Sequence, residues 1–364
     1  MRKLVSIKQI DSIQPIDGAD AIEAAMIGGW AVVVKKGDFN PGDNVLYFEI
    51  DSILPRGNPD YDFLMARSSG TYTTDDGSTS EGHRLRTIKL RGQVSQGLIL
   101  PLPKDFIITK DRGVHYVESD TLNATPIDEA DLSEYFGVKK YEKLISANLA
   151  GVARGNFPSF IPKTDQERIQ NLSKHFPKWV ADETIYEMTE KLDGTSCTVY
   201  KNSHLLDEGK DALGVCSRNL DLKDTEGNVY WDAARKYDIH AILLRDGRNL
   251  AIQGEIIGEG IQGNQYRLTD RQFFVFDIYD IDSKEYFDGF ERQEFCKINN
   301  LQHVPVVNSR YLFEVTSAVD AIPMADGPSA LNGTPREGLV FKSLHNPLDS
   351  FKIISNKWLM KYDE

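Results

Sequence analysis

Tyr186-Glu187-Met188-Thr189-Glu190-Lys191-Leu192-Asp193-Gly194 is the stretch on which the reading of this chain turns. A strand pattern runs up to Lys191, Asp193-Gly194 forms a tight turn, and a second strand follows over Thr195 to Tyr200. That geometry holds an amine at the end of a strand, facing a cleft. Lysine is a nucleophile only after losing its proton, and burial or neighbouring positive charge lowers its pKa towards that state. Taken alone, Lys-x-Asp-Gly is more simply a hairpin turn with a surface lysine.

It does not stand alone. Downstream come Ser217-Arg218-Asn219, then Gln253-Gly254-Glu255-Ile256-Ile257-Gly258, then Phe273-Phe274-Val275-Phe276-Asp277. Arg336-Glu337-Gly338-Leu339-Val340-Phe341-Lys342 and Ser350-Phe351-Lys352-Ile353-Ile354-Ser355 close the series. Each residue has a plain structural reading. Phe276 could be a core side chain, Glu337 could close a turn, Lys352 could be a solvated strand lysine, and Arg218 could pair with Asp221. Their order and spacing together resemble the motifs of the covalent nucleotidyltransferases: DNA ligases, RNA ligases and mRNA capping enzymes.

That resemblance spans most of residues 157–357 and implies roles. Lys191 would form a lysyl-AMP phosphoramidate. Arg218 would contact the ribose or the 5′-phosphate end, and Glu255 the nucleoside sugar or a metal. Phe276 would stack on adenine, and the backbone next to Glu190 would read the adenine amino group, with Asp193 in the same nucleotide-binding set. Glu337 would help hold a divalent metal, Mg²⁺ or Mn²⁺, while Lys342 and Lys352 would neutralise the α-phosphate of ATP. The chemistry suits these residue types, because attack on an α-phosphate needs charge cancelled on its oxygens and on departing pyrophosphate. Magnesium favours carboxylates and water, which makes Glu255 and Glu337 plausible partners.

Domain order narrows the family. Only 12 residues follow Lys352, too few for the C-terminal OB domain of DNA ligases and capping enzymes. The extra domain is expected ahead of the transferase, a layout that resembles the branch of RNA ligases with an N-terminal OB domain. Asn156 to Asp165, Glu167 to Asn171, Ser350 to Lys357 and Gly258-Glu259-Gly260-Ile261-Gln262 are similar to that branch. Many of its members carry a second lysine two positions after Lys352, where this chain has Ile354; Lys357 is a substitute at a different spacing. The resemblance therefore implies joining of 3′-OH and 5′-phosphate RNA ends, with nicked or broken RNA or RNA/DNA duplex as partner. A DNA ligase and a catalytically inactive nucleic-acid-binding protein are the alternatives.

Residues 1–150 read as short strands: Trp30 to Val34, Val45 to Ile50 after the turn Asn40-Pro41-Gly42-Asp43, and one near Leu98 to Pro101. Strands of this size fit a small barrel, an OB-like fold among the options. Ser68 to Gly82 is rich in Ser, Thr, Gly and Asp, which predicts a long mobile loop. Arg84, Arg86, Lys89 and Arg91 follow it, either tracking phosphates or protecting a strand edge. Gly151, Gly155, Pro158 and Pro162 mark the boundary, and Thr164 with Glu167 is spaced as a capping box for a helix. Arg168 on that helix would hold a 5′-phosphate or pair with nearby acids. The expected fold is α+β: a polynucleotide-binding OB-like barrel over 1–150 and an antiparallel-sheet, ATP-grasp-like adenylyltransferase domain over 151–364.

At 364 residues, 40% hydrophobic and 27% charged, the composition is that of a soluble globular protein of two domains. No run of 18 apolar residues and no signal-peptide pattern occur, and three scattered cysteines fit a reducing compartment. A cytoplasmic monomer that does not engage membranes is expected. The net charge of −13 argues against nonspecific coating of nucleic acid, though not against a local basic track.

Overall fold

The computed structural model describes residues 3–64, 68–74, 78–141, 152–347 and 349–362. The chain divides into two compact units: Met1–Leu144 with Leu359–Glu364, and Ile145–Trp358.

In the first unit, Asn44–Phe48 is the organising strand. It pairs antiparallel with Val5–Gln9 on one side and Leu98–Pro101 on the other. Strand side chains alternate between faces, so Val45 and Tyr47 enter one core with Trp30, Val32 and Ile99, while Leu46 and Phe48 enter a second with Val5, Leu54 and Tyr61. Both faces of this strand are thus buried. The expected loop over Ser68 to Gly82 is instead largely a hairpin, Ser69–Thr73 against Thr79–Arg84, with residues 75–77 outside the description. Thr71, Tyr72 and Thr73 supply β-forming side chains that the Ser and Gly content obscured.

The second unit is built on two sheets. One has eight strands in the order Ala153–Asn156, Leu220–Leu222, Leu213–Cys216, Thr195–Lys201, Leu250–Ile257, Gln272–Asp280 and Glu285–Tyr286, with Gln302–His303 alongside Gln272–Asp280. Helices Val229–Lys236, Ile239–Asp246 and Gly289–Ile298 pack on it through Tyr230, Leu243 and Phe295, among others. The other sheet runs Glu167–Arg168, Ser350–Ile354, Gly338–Ser343, Ile185–Lys191, Val306–Leu312. Its core is aromatic: Phe341 stacks on Phe351 at 4.7 Å between centroids, and Trp179 stacks on Phe351 at 5.2 Å.

The Thr164–Glu167 capping box does not form. Glu167 lies in a two-residue strand parallel to Ser350–Ile354, and its carboxylate accepts from the N–H of Arg168 and from Asn171. Pairing with a neighbouring strand offers the backbone more than a local cap does. Among the described residues no helix is long and apolar enough to cross a membrane.

Lys191 to Gly194 is not a hairpin. The strand before it belongs to the second sheet and the strand after it to the first, so the turn carries the chain from one sheet to the other. Gly194 makes the crossing possible. A Cβ there would meet the carbonyl oxygen of Ile256 at 2.3 Å and Cγ of Glu255 at 2.9 Å, so only glycine lets the turn come this close.

Candidate active site

Lys191 ends its strand opposite Gly338, and the register places Glu337 beside it. The Lys191 amine donates to both carboxylate oxygens of Glu337, at 2.7 and 2.8 Å. Burial pulls this amine's pKa down and is the largest single influence. Glu337, Glu255 and Asp193 together outweigh it, so the net shift is upward. The lysine therefore rests as an ammonium, charged and aimed, but not yet nucleophilic.

Glu255 lies on Leu250–Ile257, in the other sheet. Burial first, then the charges of Glu337 and Asp193, push its carboxyl up to about 8 against the opposing pull of Lys191 and Arg218. Carboxylates crowded around one ammonium are the donor set a divalent cation would neutralise. No cluster of three or more His, Cys, Asp or Glu among the described residues forms a ready-made cage. Glu337 and Glu255, two carboxylates acting on one ammonium, fit a magnesium-like ion, which favours carboxylate oxygen and keeps most of its water.

Three residues not singled out in the sequence hold this group in place. The Tyr266 hydroxyl accepts from the N–H of Asp193 at 2.8 Å, fixing the turn after Lys191. The Tyr266 carbonyl is in turn bonded by the Asn332 amide. Arg336 donates to the carbonyls of Met324 and Ala325 at 2.8 and 3.0 Å, anchoring the residue before Glu337. Tyr266 sits in a segment where Gln262, Asn264 and Arg267 all have φ near +50°. Such a run of left-handed non-glycine residues is costly and is typical of functional loops.

Glu190 is buried. Its N–H is donated to Pro305 O at 2.8 Å and its carboxylate accepts from Ala330 N at 2.9 Å. Phe276 is half-buried in a small apolar cluster with Leu192, Tyr266 and Phe274, on the path between the sheets. Phe276 therefore packs beside the Lys191 turn, against the cluster that holds Leu192.

Lys342 departs from expectation. Its ammonium donates to Phe276 O at 2.7 Å and to Asp277 Oδ1 at 2.5 Å, and burial drives its pKa down to about 8 against the pull of Asp277. This arrangement ties Lys342 to the Phe276 backbone and to the Asp277 side chain. Behind it lies a buried polar network. Arg292, 1% exposed, pairs with Glu187, 2% exposed, and donates to His303 Nε2 at 2.9 Å. His303 is held down to about 3, by burial first and then by Arg292, so it stays neutral with Nδ1 towards Val304 O.

Lys352 and Arg218 meet through Asp165. Arg218 donates to one Asp165 oxygen at 3.1 Å and Lys352 to the other at 3.4 Å. Arg168, which is buried, pairs in register with Lys352 in the parallel ladder. Ile354 is a core residue, and the exposed Lys357 pairs with Asp326 at 2.9 Å.

A family model described as an OB-fold domain matches residues 4–102, and the RNA ligase model matches residues 184–358. The whole chain also matches solved structures. An apo variant of the RNA ligase of Naegleria gruberi is 40% identical with a TM-score of 0.84, covering 100% of this chain and 98% of that one. The chain belongs to the RNA ligase family. A lysine-to-methionine variant of the same Naegleria enzyme, solved with AMP and manganese, is similar to this ligase at 41% identity and a TM-score of 0.83, covering 98% of both chains. A complex of that enzyme with PPi gives 41% identity and a TM-score of 0.83, covering 100% of this ligase and 99% of that chain. No curated protein sequence matches the ligase significantly.

Proposed function

We propose that this ligase is ATP-dependent and joins RNA ends through an AMP carried on Lys191. The observation that carries the reading is the Lys191–Glu337 pair at the crossing of two sheets, with Glu255 on the facing strand. Lys191 loses its proton and attacks the α-phosphorus of ATP, expelling pyrophosphate. AMP passes next to a 5′-phosphate, and a 3′-hydroxyl then attacks that adenylylated end and releases AMP.

In this scheme Phe276 stacks on adenine and the buried Glu190 lies beside the base. Asp193 holds the turn that aims Lys191. Arg218 and Lys352 meet the phosphates, and Glu255 and Glu337 hold the metal. A bound Mg²⁺ or Mn²⁺ would supply positive charge for the phosphate oxygens. The N-terminal domain, residues 1–150, binds the polynucleotide, and residues 151–364 carry the lysine chemistry. The enzyme acts as a cytoplasmic monomer on nicks with RNA on the 3′-OH side, where the 2′-hydroxyl distinguishes RNA from DNA.

The test is a sealing assay. Protein with labelled ATP and magnesium is given nicked duplexes carrying RNA or DNA on each side of the break. Sealing that requires ribonucleotides on the 3′-OH side is the expected result. Equal sealing of all-DNA nicks counts against the substrate assignment, and absence of protein-bound label counts against the mechanism.

A further inference from the structure

Arg218 and Lys352 come from different sheets. Arg218 sits in the tight turn joining Leu213–Cys216 to Leu220–Leu222, and Lys352 lies in Ser350–Ile354 of the facing sheet. Two like charges converging from separate sheets repel unless an anion lies between them. Asp165 provides that anion. Its Oδ2 accepts from Arg218 Nη2 at 3.1 Å and its Oδ1 from Lys352 Nζ at 3.4 Å. One carboxylate oxygen on each cation is the pattern that two oxygens of a phosphate group would make. The side chains of Asp165, Arg218 and Lys352 are 39%, 41% and 17% exposed. Contacts this open to water are weak and exchange readily. The charge of Arg218 also favours the ionised form of Glu255.

We propose that Asp165 is a placeholder for a phosphate: its carboxylate spans Arg218 and Lys352 in the nucleotide-free ligase, and the phosphate chain of ATP displaces it and takes over both cations. The proposal rests on the reading of Arg218 and Lys352 as phosphate ligands. A carboxylate serves here better than a neutral side chain, because it offsets the repulsion between the cations while the site is empty. It also competes with the incoming phosphates, so affinity for the phosphate chain is set partly by the ease of its departure. That competition gives the proposal its sign. Asp165→Asn keeps the shape and the acceptor oxygen but removes the charge, and must bind polyphosphate more tightly.

The experiment titrates α,β-methylene ATP with magnesium into full-length wild type, Asp165→Asn and Arg218→Ala by calorimetry at one ionic strength, with adenosine as a charge-free control. Asp165→Asn should tighten binding of the methylene analogue about two- to fivefold, the scale of one screened charge contact, and leave adenosine affinity unchanged. Arg218→Ala should weaken the analogue. Equal or weaker binding by Asp165→Asn, with Arg218→Ala still weakened, overturns the placeholder and spares the phosphate role of the cations. If neither variant moves the affinity, both readings fall. Tightening of adenosine to the same degree also overturns the proposal, because it shows a general change in the site and not relief of charge.

Discussion

Lys191 and Glu337 lie 146 residues apart in sequence, yet the lysine amine sits 2.7 and 2.8 Å from the two oxygens of that carboxylate. In the proposed mechanism this pair keeps the lysine inert until substrate arrives. The same carboxylate that aims the amine holds its proton, and whatever draws charge from Glu337 also frees the nucleophile.

Lys191 itself is the first test. Wild-type protein mixed with ATP and magnesium should gain the mass of one AMP, read by intact-mass spectrometry. Lys191→Ala should gain none, and Lys191→Arg should gain none either, since a guanidinium does not lose its proton in this pH range. An AMP adduct on the alanine variant would place the nucleophile elsewhere.

Glu337→Gln tests the clamp through pH. The amine's pKa is raised in the folded protein, so its reactive, deprotonated fraction grows with pH and labelling should rise into the alkaline range. Removing the carboxylate charge lowers that pKa and should move the rise to lower pH. The maximal rate should fall by about 10²–10³, the usual effect of losing one preorganised electrostatic contact, with the melting temperature preserved. An inflection that stays in place in the variant contradicts the clamp.

Tyr266→Phe removes the acceptor for the Asp193 N–H. Leaving that group unpaired costs about 1–3 kcal/mol and loosens the turn that aims Lys191. Single-turnover labelling should slow while the KM for ATP changes little. If the labelling rate of the folded protein is unaffected, Tyr266 is only a packing residue.

His303 should give the ligase an acid limb in its stability. Its pKa falls from the usual 6.5 to about 3 in the folded protein, so below 6.5 the unfolded chain takes up a proton that the folded one refuses. Stability present above pH 6.5 is lost as pH falls towards 3, with a slope of at most about 1.4 kcal/mol per pH unit from this group. Thermal melts at stepped pH should show the decline, and His303→Gln should flatten it. A parallel decline in the variant assigns the effect to other groups.

The basic run of the first unit divides on inspection. Arg84 is 6% exposed and its guanidinium lies 3.6 Å over the Tyr141 ring, so it belongs to the packing. Lys89 and Arg91 are exposed and Arg86 is partly so. Neutralising Arg86, Lys89 and Arg91 should reduce the slope of log affinity for nicked duplex against log salt by about two to three. Arg84→Ala should instead lower the melting temperature. An unchanged slope in the triple variant removes these residues from the RNA-binding surface.

How far the sequence could be read depended on the range of the interactions. Lys191 was legible because the strand, the turn and the next strand are neighbours along the chain. The two-sheet crossing was not, because nothing local distinguishes a turn between sheets from a hairpin; only Gly194 pressed against Ile256 reveals it. Tyr266 was missed for the same reason, lying 73 residues from the N–H it fixes. Lys342 shows the opposite case. Its place in a motif suggested a phosphate, while Asp277, 65 residues away, claims its amine. Ser68 to Gly82 misled through composition, where three β-forming residues outweighed many turn-formers once Thr79–Arg84 was available as a partner.

The chain of buried charges behind Phe276 has a consequence for how the catalytic unit comes apart. Glu187 and Lys342 belong to one sheet, and Asp277 to the other with Arg292 on its covering helix. Opening the seam by a little would strand each charge without its partner in a dry interior, which is costlier than either full closure or full solvation. Partial breathing along this seam is therefore suppressed. Amide protons of Ile185–Lys191, Gln272–Asp280 and Gly338–Ser343 should exchange together in one slow class, making this seam a single foldon that melts whole.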